Sequence, residues 1–162
     1  MKILVVSDSH GDYSSFNNLV RSQSKAEAVI FLGDGCEEFD DVRRNFPEKM
    51  FIGVKGNNDW GWSLPLCEER VIEGKKFFIT HGHVERVKYG LDMIKQKARS
   101  HGADIVLYGH THVPYTEYDG GMYIMNPGSI RRFDCSYGII DIQKGDVLMN
   151  TAYTSSGTSS WR

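Results

Sequence analysis

Residues 2–10, KILVVSDSH, decide how the chain is read. A β-branched apolar run of this length that stops at Ser, Asp and His is the pattern of a strand buried on both faces where it emerges into a polar loop. The same pattern returns along the chain. Residues 28–32 (AVIFL) run into Gly33 and Asp34, residues 50–55 (MFIGVK) into Gly56, Asn57, Asn58 and Asp59, and residues 77–80 (FFIT) into His81, Gly82 and His83. Residues 105–108 (IVLY) run into Gly109, His110, Thr111 and His112.

Helical stretches separate these strands. Asp12 is placed to cap a helix whose apolar positions Phe16, Leu19 and Val20 recur at helical spacing. Residues 37–45 suit a short helix stopped by Pro47. Residues 88–100 carry Leu91, Ile94 and Ala98 on one face and predict a third helix closed by Gly102. Val71, Ile72 and Gly74 before residues 77–80 predict a hairpin. The alternation is that of an α/β protein. After residue 112 the texture changes to short strands at 115–118, 122–125, 137–142 and 147–153, divided by Gly and Asp turns, which read as antiparallel ribbon. One domain over residues 1–153 and a flexible Ser/Thr/Gly-rich tail over 154–162 are expected, with Trp161 able to dock.

Composition narrows the class. The 162 residues are enough for one self-sufficient core, and a formal net charge of −2 from 19 basic and 21 acidic side chains gives no broad basic face. Long nucleic acid is therefore not an expected partner. No apolar run approaches the roughly 20 residues of a membrane span, and no cleavage-site pattern follows residues 2–6, so a cytoplasmic location is expected. Cys36, Cys67 and Cys135 are scattered and odd in number, which fits small buried or half-buried thiols better than a disulfide framework or a zinc finger.

The chemistry lies in the strand ends. The carboxyl ends of strands in α/β sheets face a common crevice, so Asp8, His10, Asp34, Asn57, Asp59, His81, His83, His110 and His112 are expected to meet there. A single Asp after a strand is usually a turn or cap residue. Here, though, five of the six histidines fall at strand ends, with only His101 near a helix end. Asp and His together suit Mn²⁺, Fe²⁺, Co²⁺, Ni²⁺ or Zn²⁺, whereas calcium sites use oxygen alone and structural zinc favours thiolates. Asp8/His10 and His110/His112 are i, i+2 pairs that can chelate from extended or loop backbone.

Taken together and in this order, Asp8-Ser9-His10, Gly33-Asp34, Gly56-Asn57-Asn58-Asp59, His81-Gly82-His83 and Gly109-His110-Thr111-His112 resemble the signature of the calcineurin-like metallophosphoesterases. The short length and the later Asn126-Pro127-Gly128-Ser129 resemble its small bacterial and archaeal phosphodiesterase branch, which also includes retromer-subunit relatives. The resemblance implies a four-layer α/β/β/α sandwich of two facing mixed sheets flanked by helices, with the second sheet built largely from the late ribbon. It implies two divalent metal ions, Mn first and Ni, Fe, Co or Zn as alternatives. Asp8, His10 and His112 would hold one ion, Asn57, His81 and His110 the other, and Asp34 would bridge them. It also implies a phosphodiesterase that cleaves P–O bonds with a metal-bridging hydroxide, since two cations lower the pKa of bound water.

The chain departs from the family pattern at Asn58. Larger members have a histidine there that protonates the leaving oxygen, a role that asparagine cannot fill near pH 7. Diesters with activated leaving groups are therefore expected to be preferred over monoesters. His83 is the replacement acid or, in the better-supported reading, a contact to a ligand or to phosphate. Asp59 is expected to hydrogen-bond a ligand histidine. Asn58, Ser129 or Arg131 is expected near phosphate, with a rigid turn and solvated cations as the plain alternative for the last two. Trp60 and Trp62 read first as turn-edge packing or an oligomer contact, and second as rings lining the substrate mouth. A non-catalytic scaffold of the same fold, a nucleotide pyrophosphatase or a nuclease remain as alternatives, and a dimer or tetramer stays open.

Overall fold

Alternate side chains of the first strand, β1 (Lys2–Val6), enter two different cores. Ile3 and Val5 pack with Ile30, Ile52, Phe77, Ile79, Ile105, Leu107 and Ile140, whereas Leu4 and Val6 pack with Phe16, Leu19, Phe31 and Phe39. That double burial accounts for the unbroken apolar run. The computed structural model describes residues 1–155. Along the chain follow α1 (Tyr13–Ser22), β2 (Ala28–Phe31), α2 (Cys36–Asn45), β3 (Met50–Gly53), β4 (Cys67–Ile72), β5 (Lys75–Thr80), α3 (Asp92–Ser100) and β6 (Ile105–Leu107). β7 (Tyr115–Asp119), β8 (Met122–Asn126), β9 (Ser136–Gln143) and β10 (Asp146–Tyr153) complete the order.

The strands form two five-stranded mixed sheets, β10-β9-β1-β2-β3 and β4-β5-β6-β8-β7. β1, β2 and β3 are parallel, as are β5, β6 and β8. One core fills the space between the sheets, a second lies between the first sheet and α1 with α2, and a third lies between the second sheet and α3. Three cores between four layers make the α/β/β/α sandwich that the family resemblance implies.

Local chemistry explains the boundaries. Asp12 caps α1 by accepting the Ser15 N–H at 3.0 Å. The β4–β5 hairpin turns on Glu73 and Gly74, both at positive φ (50° and 76°), the backbone of a type I′ turn that matches strand twist.

Two expectations need correction. The second sheet is not built largely from the late ribbon, which supplies only two of its five strands. β7 and β8 join it, with β8 parallel to β6, while β9 crosses to the first sheet and pairs antiparallel with β1, Ile3 opposite Ile140. Alternation reveals a strand but not its neighbour; β9 is captured by the first sheet because Ile140 and Ile142 fill the core between the sheets. The helix expected over residues 88–100 is also broken. Gly90, at φ 133°, separates a 3-10 turn (Val87–Tyr89) from α3, whose Ile94 and Ala98 pack on Phe78, Val106 and Tyr108. Of the expected tail, Thr154 donates its N–H to the Cys135 carbonyl at 2.8 Å. Residues 156–162, with Trp161, lie outside the described residues. Among the described residues no helix is long and apolar enough to cross a membrane.

Candidate metal centre

Loops from the parallel strands meet at one end of the two sheets. Asp8 follows β1, Asp34 follows β2, Asn57 follows β3, His81 follows β5, and His110 and His112 follow β6. The loops are laced together: the Asp8 N–H donates to Gly33 O at 3.0 Å, the His10 N–H to Asp34 O at 3.0 Å, and the Gly109 N–H to His81 O at 2.9 Å.

Five of the seven residues expected to bind metal have left-handed backbone: Asp8, His10, Asp34, His110 and His112, with φ between 44° and 72°. Each such residue costs on the order of 1 kcal/mol, less for Asp than for bulkier types, and persists only where surrounding contacts hold it. Two glycines permit the close approach. A Cβ on Gly56 would lie 2.1 Å from Asp34 Oδ1, and one on Gly109 2.1 Å from Ser7 Oγ and 2.8 Å from Asp8 Oδ2.

The side chains form two triads whose donor atoms lie within 4.8 Å of one another, Asp8/His10/His112 and Asp34/His81/His110. In the first, His10 Nε2 and His112 Nε2 are 3.0 Å apart and lie 3.4 and 3.2 Å from Asp8 Oδ1. In the second, His81 Nε2 is 3.4 Å from Asp34 Oδ2 and 3.1 Å from Asn57 Oδ1. Asp34 Oδ2 also lies 3.8 Å from His10 Nε2, so the same carboxylate oxygen faces both triads.

The donor set fits a cation. His81 Nδ1 lies 2.6 Å from the Leu32 carbonyl, where it must carry the proton and donate, so the Nε2 lone pair of a neutral ring points at two oxygen acceptors. Converging lone pairs repel unless a proton or a metal ion lies among them, and Asp, Asn and His oxygens and nitrogens suit divalent transition metals. Without metal, protons partly serve. Burial opposes ionisation of Asp8, but hydrogen bonds from His10 and His112 and the charge of His81 hold it well below the usual carboxylate range. Asp34 is likewise lowered, with burial opposing and His81 prevailing. His10 is raised by its hydrogen bond to Asp8, and His81 is raised because Asp34 and Asp8 outweigh its burial. His110 is pushed down to about 4 by burial and by the charge of His81.

The remaining expected residues fall into distinct places. Asn58 grips Asp34 twice, its N–H donating to Oδ1 and its Nδ2 to Oδ2, both at 2.9 Å. Asp59 does not touch a histidine, contrary to expectation. Its buried carboxylate accepts four backbone N–H groups, Asp34 and Gly56 at 2.7 Å and Gly35 and Cys36 at 3.0 Å. It caps α2 from a distant loop, because Gly35 at the N-cap has no side chain to do so. His83 lies 5.4 Å from the His81 ring with Nδ1 buried and without a hydrogen bond, and its pKa is lowered by burial and then by His81. Ser129 is fully buried and donates to the Asp8 carbonyl at 2.7 Å, so its hydroxyl proton is already committed. Arg131 is exposed and pairs with Asp134 at 2.6 Å. Trp60 is 88% exposed and Trp62 half-buried.

Several residues brace the site in ways the sequence did not specify, Asn126 among them although its motif is part of the family resemblance. Asn126 Nδ2 donates to Gly109 O at 3.0 Å and Thr111 Oγ1 at 2.8 Å, bracing the turn that carries His110 and His112. Ser7 donates to Asp8 Oδ2 at 2.5 Å. Buried Glu85 holds Thr80, whose Oγ1 accepts the Gly82 N–H at 3.3 Å. Residue type alone does not distinguish such braces from ordinary polar loop positions.

Fold and site together define a metal-dependent phosphoesterase domain. Residues 1–145 match the calcineurin-like phosphoesterase superfamily domain, and the chain belongs to that superfamily. It is 30% identical over 148 residues to a probable metallophosphoesterase of Bacillus subtilis, covering 88% of this chain and 85% of that protein. It is 29% identical over 172 residues to a phosphodiesterase of Methanocaldococcus jannaschii, covering 89% and 95%. Among solved structures, a predicted phosphoesterase of Streptococcus pneumoniae superposes with a TM-score of 0.81 at 27% identity, covering 94% of this chain and 88% of that one.

Proposed function

We propose that this protein is a dinuclear metal-dependent phosphodiesterase acting on small diesters. The observation that carries the reading is the position of Asp34, whose Oδ2 lies 3.4 Å from His81 Nε2 and 3.8 Å from His10 Nε2, as a carboxylate shared between two ions requires. Asp8, His10 and His112 would hold one ion, Asn57, His81 and His110 the other. Bound there, a pair of divalent cations supplies Lewis acidity toward phosphate and water of lowered pKa. Mn²⁺ is the first choice, with Ni²⁺, Fe²⁺, Co²⁺ and Zn²⁺ compatible with the donors.

The chain's own residues supply position. Asn58 fixes both oxygens of Asp34, and Asp59 fixes the backbone on which Asp34 stands. Arg131, near enough to influence His10 electrostatically, is the proposed phosphate contact. His83 is neutral at pH 7 because burial and His81 lower its pKa, which suits a hydrogen bond to phosphate better than proton delivery. With neither Asn58 nor His83 supplying a proton, the site favours diesters whose leaving groups need none.

A scaffold role is disfavoured, since all seven donors are present and converge in two triads with Asn57 beside the second. Cys36 and Cys135 are buried thiols, whereas Cys67, expected to be at least half-buried, is exposed at the start of β4.

The test is hydrolysis of bis(p-nitrophenyl) phosphate by metal-stripped protein given Mn²⁺, Ni²⁺, Co²⁺, Zn²⁺ or Mg²⁺, beside Asp34→Asn. Metal-dependent turnover that falls more than about 100-fold in the variant is expected. Equal rates with and without metal would refute the reading.

A further inference from the structure

Beside the metal centre, between α2, the end of β3 and the chain entering β4, lies a cavity of about 370 Å³. Its walls include Phe39, Phe51, Trp62 and Leu64. Cys36 and Trp62 line both this cavity and the shallower recess of about 220 Å³ bordered by His10, Asp34 and Asn58, so the two spaces lie side by side. The volume is that of a small-molecule site, for which roughly 300–1,000 Å³ is usual.

The walls are preorganised. Phe39 stacks on Phe31 with ring centroids 5.3 Å apart and meets Phe51 edge-on at 5.9 Å. Gly53 at the end of β3 lets them close up, since a Cβ there would stand 2.8 Å from the Phe39 ring and 3.3 Å from Leu64. Trp62 is tied to the metal loop, its N–H donating to the Asp59 carbonyl at 3.5 Å. Charge decides what such a space accepts. Arg43 pairs with Asp40 at 2.5 Å, Arg44 bridges Asp40 and Asp41, and Arg70 pairs with Glu68 at 2.9 Å, so each cation at or beside the rim is matched by an acid. A second phosphate would find no free positive charge there. A flat uncharged ring would find aromatic faces, with acceptors at its edge.

We propose that this cavity receives the planar, uncharged ring of one ester group of the diester, a nucleobase or an aryl ring, while the phosphate sits at the metal centre. The inference rests on the phosphodiesterase reading above and names the substrate class of that site.

The test has a kinetic and a binding arm. Mn²⁺-loaded protein is assayed on three p-nitrophenyl diesters with the same leaving group, whose other ester group is thymidine, p-nitrophenyl or methyl. The kcat/KM ratio of ring-bearing to methyl ester is compared in the wild type, Trp62→Ala and Ser63→Trp. Ser63 is exposed at the rim, so its replacement blocks the cavity without touching the core. In parallel, metal-free protein is titrated with thymidine and with phenol, and the Trp62 indole N–H and the Gly53 amide are followed by NMR.

A ring preference of about tenfold or more that collapses in both variants, with shifts at Trp62 and Gly53 that Ser63→Trp removes, is the expected result. A larger preference for the thymidine ester identifies a nucleobase, and the reverse an aryl ring. Ratios near one in all three proteins, without shifts, overturn the inference. If no diester is hydrolysed with any metal, the phosphodiesterase reading fails by itself, and the shifts alone then decide whether the cavity binds a ring. If Trp62→Ala does not fold, Ser63→Trp carries the comparison.

Discussion

The Asp59 carboxylate accepts the backbone N–H of Asp34 at 2.7 Å, across 25 positions of sequence, and takes those of Gly35, Cys36 and Gly56 as well. The residue whose carboxylate faces both triads is thus held through its backbone by a buried acid that bonds to no other side chain of the site. Four N–H groups at the start of α2 and the end of the β3 loop converge on one negative charge, where the helix dipole also favours an anion.

Asp59→Asn replaces two acceptor oxygens with one and turns an amide donor toward other donors. The expected cost is about 3 kcal/mol, from weakened charge-assisted bonds and buried N–H groups left unpaired. For a chain of this size that corresponds to a melting temperature lower by roughly 6–12 °C. Calorimetric Mn²⁺ titration should show weaker binding, by 10–100-fold, because Asp34 loses its support. An unchanged melting temperature together with unchanged metal affinity would contradict this role.

A second consequence concerns Gly109. A Cβ there would stand 2.1 Å from Ser7 Oγ and 2.8 Å from Asp8 Oδ2, both buried and hydrogen-bonded to each other. Gly109→Ala is therefore expected to displace Asp8 or the turn that carries His110, lowering stability by about 1–3 kcal/mol and reducing bound metal. Gly121→Ala is the comparison away from the centre: its Cβ would meet nothing within 4 Å, but its φ of 89° makes it cost about 1 kcal/mol of backbone strain while bound metal stays unchanged. Melting temperature and metal content by elemental analysis distinguish the two variants.

The strands and the Asp, Asn and His pattern at their ends were legible because each rests on local information, whereas the four layers came only as what the family resemblance implies. Continuous burial makes KILVV apolar, and Asp, Asn and His at strand ends are the donor types that divalent metals need. Partner choice was not legible in the same way. The β8 and β9 segments both read as short strands with alternating burial, and only the packed core assigns β8 beside β6 and β9 beside β1. Asp59 was misread for a related reason: an acid next to metal-ligand types is a candidate partner for them, whereas its four bonds go to backbone N–H groups that carry no residue signature. The left-handed backbone at Asp8, His10 and His112 was hidden too, since Asp and His adopt positive φ more often than most residues but still in a small minority of positions.

The two bonds from Asn58 to Asp34 have a kinetic consequence. Asn58 occupies the position that would protonate a leaving oxygen in larger relatives, and it is already engaged with the carboxylate. General-acid assistance is worth about 10²–10⁴-fold where the leaving group is a poor one. Mn²⁺-loaded protein is therefore expected to turn over bis(p-nitrophenyl) phosphate at least about 100-fold more efficiently than the alkyl monoester glycerol 1-phosphate. Comparable kcat/KM values for the two would show that another group supplies the proton.

Protonation of the metal-free site tests its electrostatics directly. His110 has its pKa pushed down to about 4 by burial and by the neighbouring charge of His81, whereas His10 is raised by its hydrogen bond to Asp8. A histidine harder to protonate when folded than when unfolded contributes stability that is full above the unfolded value of about 6.5 and is lost as pH falls toward 4. A raised histidine behaves oppositely: its contribution is full below about 6.5 and is lost as pH rises through its folded midpoint. Imidazole NMR titration of metal-free protein should accordingly give a midpoint below 6.5 for His110 and above it for His10. Denaturation of wild type and His110→Gln at pH 7 and pH 4.5 should show the wild type losing stability relative to the variant on acidification. Identical midpoints for the two histidines would mean that the acidic and basic groups of the two triads are not packed against one another as described.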